Sequence, residues 1–296
     1  MNGGPRADRG RLPWIVLAIG VVSASVSAIL IRYAQDASGL ALSLWRCAAG
    51  AVLLAPFALP GLRRMEPRDF AIPAVAGVCL AAHFATWITS VNLTTIAASV
   101  LLVSTTPVFV ALVERWAFRA RMPTVGWWGI VLALAGTVMI AGLDFEGASV
   151  LGNLLALAGA ITVAGYVLGG QRARQTLGIL EYSIVTYGFA ALALLPVCLI
   201  AGVELGGYSD TTWLAIAGLI VGPQLLGHTL INMALSDIDA TTVSVTVMAE
   251  PVIAIALAFF LFSEVPSALA YPGGLAILVG IYVVSVVRRE PVVIVE

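Results

Sequence analysis

Ten separate apolar stretches, each close to the length of a membrane-crossing helix, divide this 296-residue chain. They fall at 13–31, 40–59, 71–91, 96–114, 125–142, 150–169, 181–201, 212–233, 241–262 and 268–287. A helix needs about 20 largely apolar residues to cross the hydrocarbon core. Lipid offers no partner for backbone N–H and C=O groups, so such stretches must be helical. The connections are short and carry turn residues, as at Pro60-Gly61, Gly142-Leu143-Asp144 and Gly206-Gly207. The fold class predicted is an all-α membrane protein of ten transmembrane helices. Composition agrees: 60% of residues are apolar and 10% charged, against roughly 25% charged in soluble domains. A soluble enzyme, a secreted disulfide scaffold and a disordered chain are excluded. The first stretch is too long, and lacks the small-residue cleavage site, for a removable signal peptide.

Every cation is an arginine, and their positions orient the chain. With the N-terminus in the cytoplasm, Arg6, Arg9, Arg11, Arg63, Arg64, Arg68, Arg115, Arg119, Arg121, Arg172, Arg174, Arg288 and Arg289 all fall on that side. Only Arg32 falls opposite, and Arg46 lies within the second span. Arginine excess marks cytoplasmic ends, so both termini are expected in the cytoplasm, in a bacterial inner membrane. A net charge of −1 gives no basic surface for nucleic acid. Cys47, Cys79 and Cys198 are separated and lie in apolar runs, so neither disulfide nor metal site is expected.

The halves of the chain resemble each other. A shift of 144 aligns Pro107 with Pro251, Phe118 with Phe262, Gly129 with Gly273, Leu134 with Leu278 and Gly136 with Gly280. A shift of 140 aligns Arg32 with Arg172, Leu40 with Leu180 and Pro56 with Pro196, and one of 141 aligns Ala76-Gly77 with Ala217-Gly218. Five is odd, so a second five-helix copy inserts upside down. Repeats at 13–142 and 150–287 therefore predict inverted halves, the arrangement of many secondary transporters. Gly129 and Gly136, with Gly273 and Gly280, offer small faces for close approach, to each other or to a second subunit. Monomer and homodimer both fit.

Polar residues inside the spans are few, and such groups usually face the bundle interior. His83 precedes Trp87 by one turn, and Gln224, His228 and Asn232 recur at four-residue spacing. The shift of 141 lays His83 on Gln224 and Trp87 on His228. Paired stripes of this kind, with Tyr166, are expected to line a central cavity, against the alternative of hydrogen bonds that only join helices. Glu250 lies deep in the ninth span, where a carboxyl is either neutral or paired with a cation. Arg46 and His228 compete as its partner. Proton coupling and a packing role compete as its function. Pro107 and Pro251 each remove a helical hydrogen bond, so kinks are expected, serving as hinges or as static bends that make room for the cavity. Thr105 and Thr106 are placed to satisfy the carbonyls that Pro107 frees. Trp14, Trp116, Trp127, Trp128 and Trp213 sit near span ends as interfacial anchors.

Arg46 in the second helix of one repeat, Glu250-Pro251 in the fourth helix of the other, and the segment Met248-Ala249-Glu250-Pro251-Val252-Ile253-Ala254 resemble the EamA family of the drug/metabolite transporter superfamily. Thr105-Thr106-Pro107-Val108-Phe109 is the matching segment of the first repeat, while Ser263-Glu264 and Glu114-Arg115 only approximate the family's Gly-Glu pair. The resemblance covers about residues 13–287. It implies a solute carrier, commonly an exporter of amino acids or other small metabolites, with Arg46 as a recurrent structural residue. The expected partners are thus a small-molecule solute and the lipid bilayer, with no cofactor. A passive channel, a signalling protein and an intramembrane enzyme are the alternatives. No HExxH, GxSxG or paired-Asp motif supports catalysis. A chain without lysine cannot carry a P-loop, which excludes a primary pump. A cavity of Trp, Tyr, His, Gln and Asn suits a neutral or zwitterionic molecule with an apolar side chain, and equally a drug-like amphiphile.

Overall fold

Helix ends are polar even where helix bodies are not, and five starts carry a side-chain cap. Ser38, Thr95, Ser149, Ser209 and Asp239 each accept a hydrogen bond from the amide three residues on, at 2.8–3.3 Å. Such caps satisfy amides that the first turn cannot. The structure, a computed structural model, describes residues 10–117, 119–120, 122–142 and 149–287, and every regular element among them is helical. Arg6, Arg9, Arg121, Arg288, Arg289, Phe118 and Leu143-Asp144 lie outside the described residues.

Nine helices among the described residues are long and apolar enough to cross a membrane. They include α1 (Leu12–Tyr33), α2 (Gly39–Leu62), α3 (Ala71–Leu93), α5 (Thr124–Ala141), α6 (Val150–Ala173), α7 (Ile179–Ile200) and α8 (Asp210–Ala234). The other two are split: α4 into Ile96–Val103 and Thr106–Ala117, and α9 into Ala240–Val247 and Glu250–Phe262. A tenth apolar helix, α10 (Ala270–Val286), has 17 residues. It is shorter than the run 268–287 because Ala268 and Leu269 form a turn, with the Ala270 amide bonded to Ser267 at 2.9 Å.

The proline expectation is sharpened. Pro107 and Pro251 do more than kink their helices; each occupies the first turn of a new half-helix, where an amide would lack a partner anyway. The carbonyl of Val103, four residues before Pro107, receives the Thr106 hydroxyl at 2.7 Å, and Thr105 does the same for Leu102 at 2.6 Å. Pro56, Pro60 and Pro196 leave α2 and α7 unbroken. A further interruption falls at Val26 in α1, after Ser25 turns its hydroxyl back onto Val21 at 2.7 Å. Serine back-bonding bends helices in this way.

The main interhelical pairings are α3 with α6, α5 with α10, α1 with α8, α2 with α7 and α3 with α7, followed by α4 with α6; α4 also packs on α9. Small residues allow several of these. In α6, a Cβ on Gly165 would touch Cys79 Sγ at 3.0 Å and one on Gly169 would touch Ala76 at 3.0 Å, both on α3. The glycines of α5 and α10 face each other within the chain: Gly129 meets Gly280, and Gly136 meets Gly273. The principal core runs through the middle, from Leu17 and Leu44 to Phe84, Tyr166, Tyr187 and Ile231. Outward-facing positions are apolar too, including Val52, Phe57, Ile200 and Leu214. Water would not be covered by such a surface; lipid is.

Where α1 ends, Arg32 reaches Glu264 at 2.7 Å and lies 4.6 Å from the Phe262 ring, both at the end of α9. Beside it, Asp36 accepts from the Ser209 amide at 2.8 Å and from the Thr212 hydroxyl. These contacts join the first half of the chain to the second at one end of the bundle.

Candidate substrate site in the bundle interior

α3 delivers His83, Phe84 and Trp87 to the interior. His83 Nδ1 lies 3.0 Å from the Gly159 carbonyl of α6, a contact that requires the proton on Nδ1. Its ring stacks on Trp87, 5.7 Å between centres and 8° from parallel. Phe84 is edge-on to His228 at 6.3 Å, and the Arg46 guanidinium lies 5.3 Å from the Phe84 ring centre. Phe84 thus bridges α2, α3 and α8.

Asn232 donates to the Tyr166 hydroxyl at 2.5 Å, and that hydroxyl pairs with His228 Nδ1 at 3.4 Å. Tyr187 pairs with the Thr229 hydroxyl at 3.0 Å and donates to the Gln224 carbonyl at 3.4 Å.

Helix α8 changes type where it carries Gln224 and His228. Residues 220–228 form a π-helical stretch with Pro223 inside it, and the Thr229 amide bonds the Gln224 carbonyl five residues back. His228 and Asn232 share Tyr166, whereas Gln224 turns toward α2, its Cγ lying 3.2 Å from where a Cβ on Gly50 would stand. Such π-bulges recur at functional sites.

Several polar atoms at this level are buried without a protein partner: Trp87 Nε1, both amide atoms of Gln224, Asn232 Oδ1 and Arg46 Nε. Each buried atom left unpaired costs about 1–3 kcal/mol in water-soluble proteins. Four side chains from three helices carrying this cost around one set of aromatic rings present donors and acceptors for something other than the protein. Glu250 opens the second half of α9 and is half-buried.

The structure therefore gathers His83, Trp87, Tyr166, His228 and Asn232 into linked contacts, with Arg46 beside them and Gln224 on the α2 side. Pro107 and Pro251 stand at the two helix breaks instead. Phe84, Tyr187 and Thr229 belong to the same set and were not foreseen. Phe84 and Thr229 carry no sequence signal beyond adjacency to a histidine. Tyr187 had one, since it follows by one residue the position that the 140-residue shift pairs with Arg46.

The sequence model of the EamA-like transporter family matches residues 12–142 and, a second time, residues 150–286. The chain belongs to the EamA-like transporter family. It is accordingly a multi-pass membrane transporter of the drug/metabolite type, in a family of transporters and not of enzymes. YdfC of Bacillus subtilis (strain 168), described as an uncharacterized transporter, is 24% identical over 245 residues, 81% of this chain and 79% of that protein. A crystal structure whose name says no more than "protein" shares the fold, with a TM-score of 0.79 at 18% identity over 92% of this chain and 96% of that one. As an EamA transporter the chain has its polar interior residues where helices of both matched segments meet: α2 and α3 from 12–142, α6 to α9 from 150–286.

Proposed function

We propose that the chain is a secondary transporter that moves a small organic solute, an amino acid or comparable metabolite, outward across the bacterial inner membrane by alternating access. Its ten helices form two inverted five-helix repeats, 13–142 and 150–287, with both termini cytoplasmic. The double family match supports two repeats. So does the pairing of helices: α1 with α8 answers α3 with α6 when each half is exchanged for the other, and α2–α7, α4–α9 and α5–α10 answer themselves. The two proline breaks act as hinges, and Glu250 couples movement to protons.

The observation that carries the reading is the set of unpartnered buried atoms on Trp87, Gln224, Asn232 and Arg46. A solute with both donors and acceptors beside an apolar part satisfies them, while His83, Phe84 and Trp87 pack its apolar part. The test is uptake into proteoliposomes of radiolabelled amino acids, with Gln224→Leu and Trp87→Phe beside the wild type. Saturable uptake with counterflow is expected, and both variants should raise KM. Non-saturable flux would identify a channel, and a chemically altered product an enzyme. Affinity unchanged in both variants would remove these residues from the solute site.

A further inference from the structure

A second concavity lies on the side of the bundle, away from the interior site. It is a groove of about 540 Å³ between α1, α9 and α10, at the end of the bundle where α1 starts and α10 finishes. Trp14 and Leu17 form one wall, Leu278, Tyr282 and Ser285 the other, with Thr246 of α9 between them. Leu17 is only 1% exposed yet borders the groove, so the cleft penetrates below the outer layer of side chains.

The chemistry of the lining selects an occupant. The two aliphatic hydroxyls in the groove are already used: Thr246 donates to the Thr242 carbonyl at 2.7 Å and Ser285 to the Ile281 carbonyl at 2.7 Å. No charged side chain lines it. Leu278 and Tyr282 continue into the apolar outer surface, which lipid covers. Trp14 and Tyr282 stand near helix ends, at the level where amphipathic rings meet headgroups.

We propose that this groove binds the acyl chain of a bilayer phospholipid, wedged between α1 of the first half and α9–α10 of the second. The chain would lie against Thr246, within one turn of the Met248–Ala249 break that separates the halves of α9. Filling of the groove would therefore bear directly on the hinge that carries Glu250.

The test is photolabelling of the full-length protein in bilayers containing a phospholipid with a diazirine in its acyl chain, mapped by peptide mass spectrometry. Labelling is expected to be severalfold higher at Trp14–Ala18 and Leu278–Tyr282 than at Leu214, although Leu214 is 74% exposed. Ala18→Trp, which narrows the groove, should reduce labelling at Leu278–Tyr282 to the level of Leu214. Labelling that simply follows exposure in the wild type would overturn the proposal, and that comparison stands even if the variant does not fold. So would an intermolecular disulfide that forms on oxidation only when Tyr282→Cys is introduced, which would assign the groove to a second chain.

Discussion

Gly136 and Gly273 lie backbone against backbone: a Cβ on Gly273 would stand 2.8 Å from the Gly136 carbonyl oxygen, and one on Gly136 would strike the Gly273 carbonyl in turn. Seven residues away the relation recurs, with Gly129 against Gly280. Helices α5 and α10 thus meet without side chains between them, and backbone atoms cannot step aside as a flexible side chain can. Gly136→Ala should destabilise the protein by about 1–3 kcal/mol, the usual range for overpacking. Gly188→Ala is the control, because nothing lies within 4 Å of its Cβ position; it should be neutral or slightly stabilising. Thermal unfolding in detergent separates the two. Equal melting temperatures would mean that the α5–α10 contact is looser than the structure has it.

Thr106 replaces the hydrogen bond that Pro107 removes, by donating to Val103 at 2.7 Å. Thr106→Val should therefore cost about 1–3 kcal/mol, the penalty for an acceptor left unpaired. Pro107→Ala returns an amide to the same carbonyl, so the cost of Thr106→Val should shrink in that background. A double-mutant cycle measures the coupling. Strict additivity would show that the hydroxyl does not serve that carbonyl.

The nine long apolar helices among the described residues were legible in the sequence because lipid imposes one solution on a long apolar run. Local interruptions were less so. Pro107 and Pro251 announced theirs, but Pro56, Pro60 and Pro196 are the same residue in helices that continue, and whether the chain breaks depends on neighbours that supply or fail to supply bonds. The π-helical stretch at 220–228 followed from no period in the sequence. Polar members of the interior cluster stood out because polarity is rare in this chain. Phe84 did not, since an aromatic ring among leucines looks like core until Arg46 and His228 are found on either side of it.

Asp36 gives a pH-dependent contact outside the spans. The Ser209 amide and then the Thr212 hydroxyl hold its carboxyl below the usual value of 3.8. A group depressed on folding stabilises the protein above its unfolded pKa, and the contribution fades as pH falls through the folded one. Asp36→Asn resembles the protonated acid. It should melt lower than the wild type near neutrality, and the difference should close below about pH 4. A gap that persists in strong acid would mean that Asp36 acts through something other than its charge.

Glu250 and Arg46 are ionisable residues of opposite sign within the spans, and the carboxyl stands at the first turn of a half-helix that follows a break. If a proton on Glu250 decides when α9 can move, a side chain of the same shape that cannot ionise should uncouple the two. Glu250→Gln in proteoliposomes is expected to abolish stimulation of net transport by an imposed pH gradient. Exchange of labelled for unlabelled solute should survive, because exchange needs no net proton movement. Arg46→Gln is the companion: it removes the buried cation of α2, one of the two partners open to Glu250, and should displace the pH profile of transport without flattening it. A Glu250→Gln protein that still responds to the gradient like the wild type would assign the carboxyl to packing at the helix break and end its role in coupling.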